Sequence, residues 1–460
     1  MTATTDPIAA FIDAACVPLD SGHASGTLEL ANAILAEHPD IASRSIHAAA
    51  TLGDADEVRR SIAADPAHAT ATGGPRGWDP LTHLCFSRYL RIDRARSNGF
   101  VRAATILLDA GASANTGWME HNHQPQPEWE SAIYGAAGVA QQPELTRLLL
   151  ERGADPNDEE TPYHVPETWD NATLKVLVES GRLTDASLSM ILLRKTDWHD
   201  YDGIKFLLER GVDPNVMTRW GKTALHNAIL SDNDLQIVAL LLEHGANPAA
   251  VASRPERGSQ QEGHRTAIQM AARRGRGDAL DLFARRGLSI ELDGLDRLLV
   301  ACARHDAEAA QSIPAHEPQA VSELKAEGGR FLAWFAGVGN TEGVRLLLDL
   351  GIPVDARFVE GEGYFDIAPE SLAIHVAAWR ASHETLRLLI DRGSPVNVFD
   401  GKRRSPLMLA VRACVDSYWT GLRKPDSVKA LLDAGASIEG VTFPSGYAEV
   451  DELLHQRGAR

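Results

Sequence analysis

Cysteine is scarce and scattered in this sequence of 460 residues: Cys16, Cys85, Cys302 and Cys414 form no CxxC pair. Such spacing excludes a disulfide framework and a zinc ribbon, and leaves reduced, packed thiols as the expectation. Aromatic residues make up only 6% of the chain, so a core drawn from its 44% hydrophobic residues has to be built chiefly of Ala, Leu, Val and Ile. Positive charge is in deficit, with 45 Lys and Arg against 63 Asp and Glu and a net charge of −18. Non-specific nucleic-acid or anionic-lipid binding needs a field of Lys and Arg, so neither partner is expected. No apolar run approaches the ~20 residues that span a bilayer. The opening stretch MTATTDPIAAFIDAA has no basic start and carries Asp6 and Asp13 among its apolar residues, unlike a secretion signal. The expected location is the cytoplasm.

What the chain does have is a recurring phrase: an apolar helix, a short polar turn, a second apolar helix, then Gly-Ala/Val-Asp/Asn-Pro. The endings ILLDAGASAN (to Asn115), LLLERGADPN (to Asn157), FLLERGVDPN (to Asn215) and LLLEHGANP (to Pro248) repeat it, as do LLLDLGIPVD, LLIDRGSPVN and ALLDAGASIE further on. The openings match too: TPYH at Thr161–His164, TALH at Thr223–His226, TAIQ at Thr266–Gln269 and LAIHVAA at Leu372–Ala378. Each feature has a mechanism. Thr caps the free N–H groups of the first helix, the Leu triplet makes the buried stripe of the second, and a terminal glycine such as Gly111 or Gly153 fits a left-handed helix stop.

The pattern resembles the ankyrin repeat, a unit of about 33 residues carrying T-P-L-H-x-A. The likeness runs from about Arg44 to Glu439 and implies an all-α solenoid of stacked helix–turn–helix units with finger loops, about 10–12 repeats including degenerate caps. Its expected layout is a capping helix pair over 1–43, repeats with long finger insertions over 44–294, a degenerate repeat over 295–329, further repeats over 330–439 and a cap over 440–460. In the degenerate repeat Pro314 and Pro318 are expected to interrupt the second helix. Insertions fall between paired helices (Arg88–Gly99, around Lys195–His199, Val415–Lys424) and in the fingers (Ala112–Glu130, Ala246–Arg265, Ile352–Ser371). The resemblance makes His47, His164, His226 and His375 structural: each ring ties neighbouring repeats together.

Catalytic motifs are absent. Gly221-Lys222-Thr223 has the ending of a phosphate loop, but Val216 stands where its first glycine belongs. There is no HExxH, GxSxG or dinucleotide fingerprint. No metal and no cofactor are expected; the one alternative set is His121, His123 and Glu120 in the finger WMEHNHQPQPEWE, two imidazoles and a carboxylate of the type zinc takes. The run Asp197-Trp-His-Asp-Tyr-Asp202 reads as helix capping with a packed Trp198.

Carrying the ankyrin contact positions onto this chain gives a binding surface. It comprises Arg76, Trp78, Glu128, Glu130, Arg219, Trp220 and Lys222 in the fingers, and Phe86, Trp169, Arg273, Arg274, Trp379 and Arg380 along the first helices. Trp and Arg dominate it, as they do binding hot spots, and its basic character suits an acidic peptide. The expectation is a non-catalytic scaffold that takes a protein or peptide partner in a Trp/Arg-rich concave groove. The alternative is an enzyme or a binder of a small anionic or aromatic ligand, with a polar and aromatic site built from loops of the N-terminal half.

Overall fold

The computed structural model describes residues 6–20, 22–123, 126–253 and 264–459. Parts of two fingers read above, Gln124–Pro125 and residues 254–263, lie outside the described residues. The chain forms two compact units, Met1–Thr218 and Arg219–Arg460.

The first unit opens with helices Pro7–Ala15 and Glu29–Glu37, and then stacks helix pairs. These are Ile46–Leu52 with Ala55–Ala64, Pro80–Cys85 with Ser97–Asp109, Ala132–Val139 with Pro143–Glu151, Glu160–His164 with Ala172–Glu179, and Asp185–Asp197 with Tyr201–Glu209. The helix starting at Ala132 widens into a π turn over Gly135–Val139. Around Lys195 no loop intervenes, because the first helix of that pair runs on to Asp197. The second unit pairs Ala224–Leu230 with Leu235–Glu243, Ala267–Arg273 with Gly277–Arg285, Gly328–Gly337 with Thr341–Asp349, Ala373–Trp379 with His383–Asp391, and Pro406–Asp416 with Asp426–Asp433. It ends on Ala448–Gln456. Among the described residues no helix is long and apolar enough to cross a membrane.

The repeat grammar explains the stack. The middle leucine of each triplet (Leu149, Leu207, Leu241, Leu347, Leu389, Leu431) is fully buried. Gly153 has φ +94°, and a Cβ there would meet nothing within 4 Å, so conformation rather than space requires glycine. The T-x-x-H signature is a capping device: the Thr223 N–H donates to His226 Nδ1 at 3.2 Å, which leaves Nε2–H to reach the Ala250 carbonyl at 2.9 Å. His47 to Ala71 (2.8 Å) and His375 to Val398 (3.2 Å) make the same tie to a backbone carbonyl. Burial lowers the pKa of all three, which keeps the rings neutral for the task.

The degenerate repeat differs from expectation. Pro314 lies inside helix Ala307–His316, close enough to its end that only the last turn loses a bond, and the chain breaks at Glu317 before Pro318 starts helix Pro318–Ala326. Two fingers zip into short antiparallel hairpins: β1 (Gly117–Glu120) with β2 (Glu128–Ser131), and β3 (Arg357–Phe358) with β4 (Ser371–Leu372).

Turns between paired helices use a left-handed residue, among them Gly53, Gln141, His199, Asp232, Gly275 and Ala381. Ala381, at φ +54°, has no polar side chain to compensate for this conformation. Ala381→Gly is therefore expected to stabilise the second unit by ~1 kcal/mol, read as a higher urea midpoint. An unchanged or lower midpoint contradicts this.

Candidate functional site

In the first unit the insertion before Ala132 builds a site because a hairpin has two faces. The register sets Trp118 opposite Glu130 and Met119 opposite Trp129. Side chains alternate, so Trp118, Glu120 and Glu130 are buried while Met119 and Trp129 are 39% and 42% exposed. Gly117 is where the strands come closest, since a Cβ there would lie 2.2 Å from the Glu130 carbonyl oxygen. Ser131 caps the next helix through the Tyr134 N–H, which sets the Tyr134 ring under the hairpin.

The inner face meets His23, from the segment between the first two helices. Its Nδ1 lies 2.9 Å from Tyr134 Oη, and its Nε2 lies 3.4 Å from a Glu120 carboxylate oxygen. Nδ1 is also 4.0 Å from Glu130. Trp78, Phe86 and Trp118 pack together beside it, with ring centroids 5.0–5.8 Å apart. Burial lowers the His23 pKa to about 4, so the ring is neutral. Burial, with the carboxylates of Glu160 and Glu120, pushes the Glu130 carboxyl up to about 9. Glu120 is raised too, chiefly by burial.

Both Glu130 carboxyl oxygens, His23 Nε2 and Trp118 Nε1 are buried, and the one polar group that serves the first three is the facing Glu120 carboxyl. An unsatisfied buried polar atom costs ~1–3 kcal/mol, so this shortage of partners marks a site built for something else to satisfy.

His164, adjacent through Tyr134 (ring centroids 5.3 Å), departs from its repeat role. Among the described residues it makes no tie to a backbone carbonyl. Instead Nε2 lies 3.2 Å from Glu160 and Nδ1 3.0 Å from Glu167, while Arg194 holds Glu167 from the other side. Burial opposes the imidazolium, yet the two carboxylates outweigh it and raise the pKa to about 9. Arg194 also bridges to Asp197 at 2.5 Å and lies over the Tyr163 ring at 4.3 Å.

The residues expected to form the binding surface are placed unevenly. Trp78, Phe86 and Glu130 lie in the interior of the first unit, and Arg274 and Trp379 in that of the second. The reason is local: insertions fold over positions that a regular repeat leaves open. The Arg76 guanidinium reaches back to the Val17 carbonyl at 2.6 Å and packs on Trp78. Arg273 pairs with Asp296 at 2.6 Å. Glu128 faces His123 at 3.9 Å, and Lys222 reaches Asn227 at 3.3 Å. Arg219 and Trp220 are half-buried neighbours, with guanidinium and ring 6.0 Å apart. Trp169 is 62% exposed, its indole N–H held by the Trp198 carbonyl at 3.0 Å. The finger set splits: Glu120 points in, His121 is exposed, and His123 turns to the Gln126 carbonyl at 3.1 Å. Sequence reasoning missed His23 and Tyr134, which lie in no motif. The alternation Trp118-Met-Glu120 and Glu128-Trp-Glu130 is the signal that could have revealed the inner face.

In the second unit a cleft of about 570 Å³ is lined by turn residues, among them Asp232, Arg276, Arg380, His383 and Trp419. Asp232 and Arg380 on its wall belong to an ion network. Asp232 accepts from Arg274 (3.4 Å) and Arg380 (3.1 Å), and Arg274 also pairs with Glu362 at 2.7 Å. Arg380 packs on the Phe365 and Trp419 rings, 4.0 and 4.8 Å from their centroids. Burial works against the Asp232 carboxylate, but Arg274, Arg380 and Arg276 outweigh it and hold its pKa low.

Comparison with known proteins agrees with the repeat architecture. Residues 195–296 match the family model described as ankyrin repeats (3 copies). Among solved structures, the ankyrin repeat domain of human ASB11 aligns at 17% identity over 58% of this chain and 98% of that one, with a TM-score of 0.26. The paired helices, capping histidines and glycine stops, together with the family match, define an ankyrin-repeat solenoid. Residues 195–296 are ankyrin repeats by this match, and the same helix pairing and glycine stops recur among the described residues on either side.

Proposed function

We propose that this ankyrin-repeat chain is a non-catalytic cytoplasmic scaffold that captures a protein or peptide partner. The observation that carries this reading is the outer face of the β1–β2 hairpin, where Met119 and Trp129 stand opposite each other in register and are both exposed. A large apolar pair on a finger, held by a strand register rather than by a free loop, loses little conformational entropy when covered. Such a preorganised aromatic is the usual anchor of a protein interface. Trp169 supports it: the ring is exposed, yet its indole N–H is fixed to the Trp198 carbonyl. Of the Trp/Arg surface, Trp169, Arg219, Trp220 and Lys222 keep partly accessible side chains, and Arg219 and Lys222 bring positive charge that suits an acidic segment.

Quantitative capture from native lysate on immobilised full-length protein tests the reading. A partner retained by the wild type is expected to fall at least about tenfold on Met119→Ala/Trp129→Ala, because a buried aromatic anchor contributes ~2 kcal/mol or more. Circular dichroism checks that the variant stays folded. Unchanged capture by the double variant removes the hairpin from the interface.

A further inference from the structure

The inner face of the same hairpin points to a different ligand, whatever docks outside. We propose that His23, Glu120 and Glu130 bind one divalent transition-metal ion, through His23 Nε2 and a carboxylate oxygen from each glutamate, with the remaining positions open to water.

Three observations carry this. First, the geometry is that of a ligand set: one donor atom from each of the three residues lies within 4.8 Å of the other two, and this is the group of that kind found among the described residues. The 3.4 Å between His23 Nε2 and Glu120 is about the edge of a tetrahedral shell with bonds of ~2.0–2.1 Å. Second, the donors are buried and short of partners. The Glu130 side chain is 1% exposed, and only the facing Glu120 carboxyl is at hand for its two oxygens and for His23 Nε2. A proton shared between the two carboxyls supplies one hydrogen bond, which leaves the imidazole nitrogen and a further oxygen unsatisfied. A cation satisfies all of them together. Third, the surroundings suit a metal-bound histidine: Tyr134 Oη lies 2.9 Å from Nδ1, within reach to accept an Nδ1–H, and in that tautomer Nε2 is the bare donor.

The donor chemistry sets the class of ion. One imidazole and two carboxylates, with no thiolate, suit Zn²⁺, Mn²⁺ or Fe²⁺, and the two carboxylates match the charge of a divalent ion. The four cysteines are buried elsewhere and take no part. The ion would pin the segment around residue 23 to a hairpin about a hundred residues further along the chain, so its role is to hold the finger in place.

The test uses full-length protein stripped with chelator and then exchanged into chelator-free buffer. Titration with Zn²⁺, read by elemental analysis after dialysis, is expected to leave one ion per chain and to raise the melting temperature. Tyr134→Phe should weaken binding ~10–100-fold, and Glu130→Gln and Glu120→Gln by at least that much. His121→Ala/His123→Ala should change it little. Co²⁺ replaces Zn²⁺ as a readout that needs no variant, and is expected to show the strong visible bands of a four- or five-coordinate N/O site. The proposal is overturned if the wild type retains no ion, or if the Co²⁺ spectrum is that of the hydrated ion. It is equally overturned if Glu130→Gln binds as well as the wild type, or if tetramethylammonium stabilises the protein and Zn²⁺ does not.

Discussion

Asp232→Asn is expected to cost the second unit ~3–5 kcal/mol, the size of the loss when one member of a buried ion network is removed. Asp232 follows helix Ala224–Leu230, and Arg380 follows helix Ala373–Trp379, so their 3.1 Å contact joins turns 148 residues apart. Arg274, from the turn after helix Ala267–Arg273, meets the same carboxylate oxygen. Asparagine keeps the shape and tolerates the left-handed backbone that Asp232 adopts at φ +54°. Only the charge is lost, and two guanidiniums are then left facing each other in the interior. Glu362 still compensates Arg274, whereas among the described residues Arg380 has an ion pair with Asp232 alone. The measurement is the urea midpoint followed through Trp379 and Trp419 fluorescence. Lys402→Ala is the control: its pair with Asp366 is solvent-exposed on the lysine side, so the loss should stay below ~1 kcal/mol. A midpoint for Asp232→Asn equal to that of the control contradicts the network's role. The pH dependence follows the same logic. Because the folded pKa of Asp232 is depressed, its stabilisation is present above the unfolded value near 3.9 and is lost as pH falls through the lower folded value. The asparagine variant should lack that acid-side loss.

The repeat frame was legible because its signals are local. Leucine triplets, a glycine stop and the T-x-x-H cap act within one unit or between adjacent ones, and repetition multiplies each signal. His226 and His375 could be assigned a structural role from the resemblance of their segments to the ankyrin unit. What was not legible depends on contacts that spacing does not encode. Arg274 and Arg380 read as part of a basic field awaiting an acidic partner, but within the second unit Asp232 and Glu362 meet them instead. Trp78 and Phe86 sit at positions a regular repeat leaves open, and the hairpin with Trp118 covers them. Glu120 and Glu130 were both singled out, in separate roles, since a loop reading ignores strand parity; alternation puts them on one face and sends His121 to the other. His23 carried no signal at all. A histidine in an irregular segment gains meaning only from what the fold brings against it.

His164 is the position where the repeat motif and the site compete, and pH separates them. In the other repeats the T-x-x-H ring is neutral and donates to a carbonyl; here it is an imidazolium clamped by Glu160 and Glu167, with Arg194 and the Tyr134 and Tyr163 rings around it. Its pKa rises from 6.5 to about 9 despite burial. At about 1.4 kcal/mol per pH unit, that shift corresponds to roughly 3 kcal/mol of stability. Since the folded value is the higher one, this stabilisation is fully present below pH 6.5 and is lost as pH rises through 9. The stability gap between the wild type and His164→Gln is therefore expected to close by ~3 kcal/mol between pH 6 and pH 9.5, measured from urea midpoints of the first unit. Glu130 loses its proton across part of the same window, but it does so in both proteins, and the difference isolates His164. Asp158, raised to about 6 chiefly by burial, titrates at the start of the window, and it too does so in both proteins. A gap that stays constant from pH 6 to 9.5 would show that His164 is neutral like its counterparts, and that Glu160 and Glu167 are held by other groups.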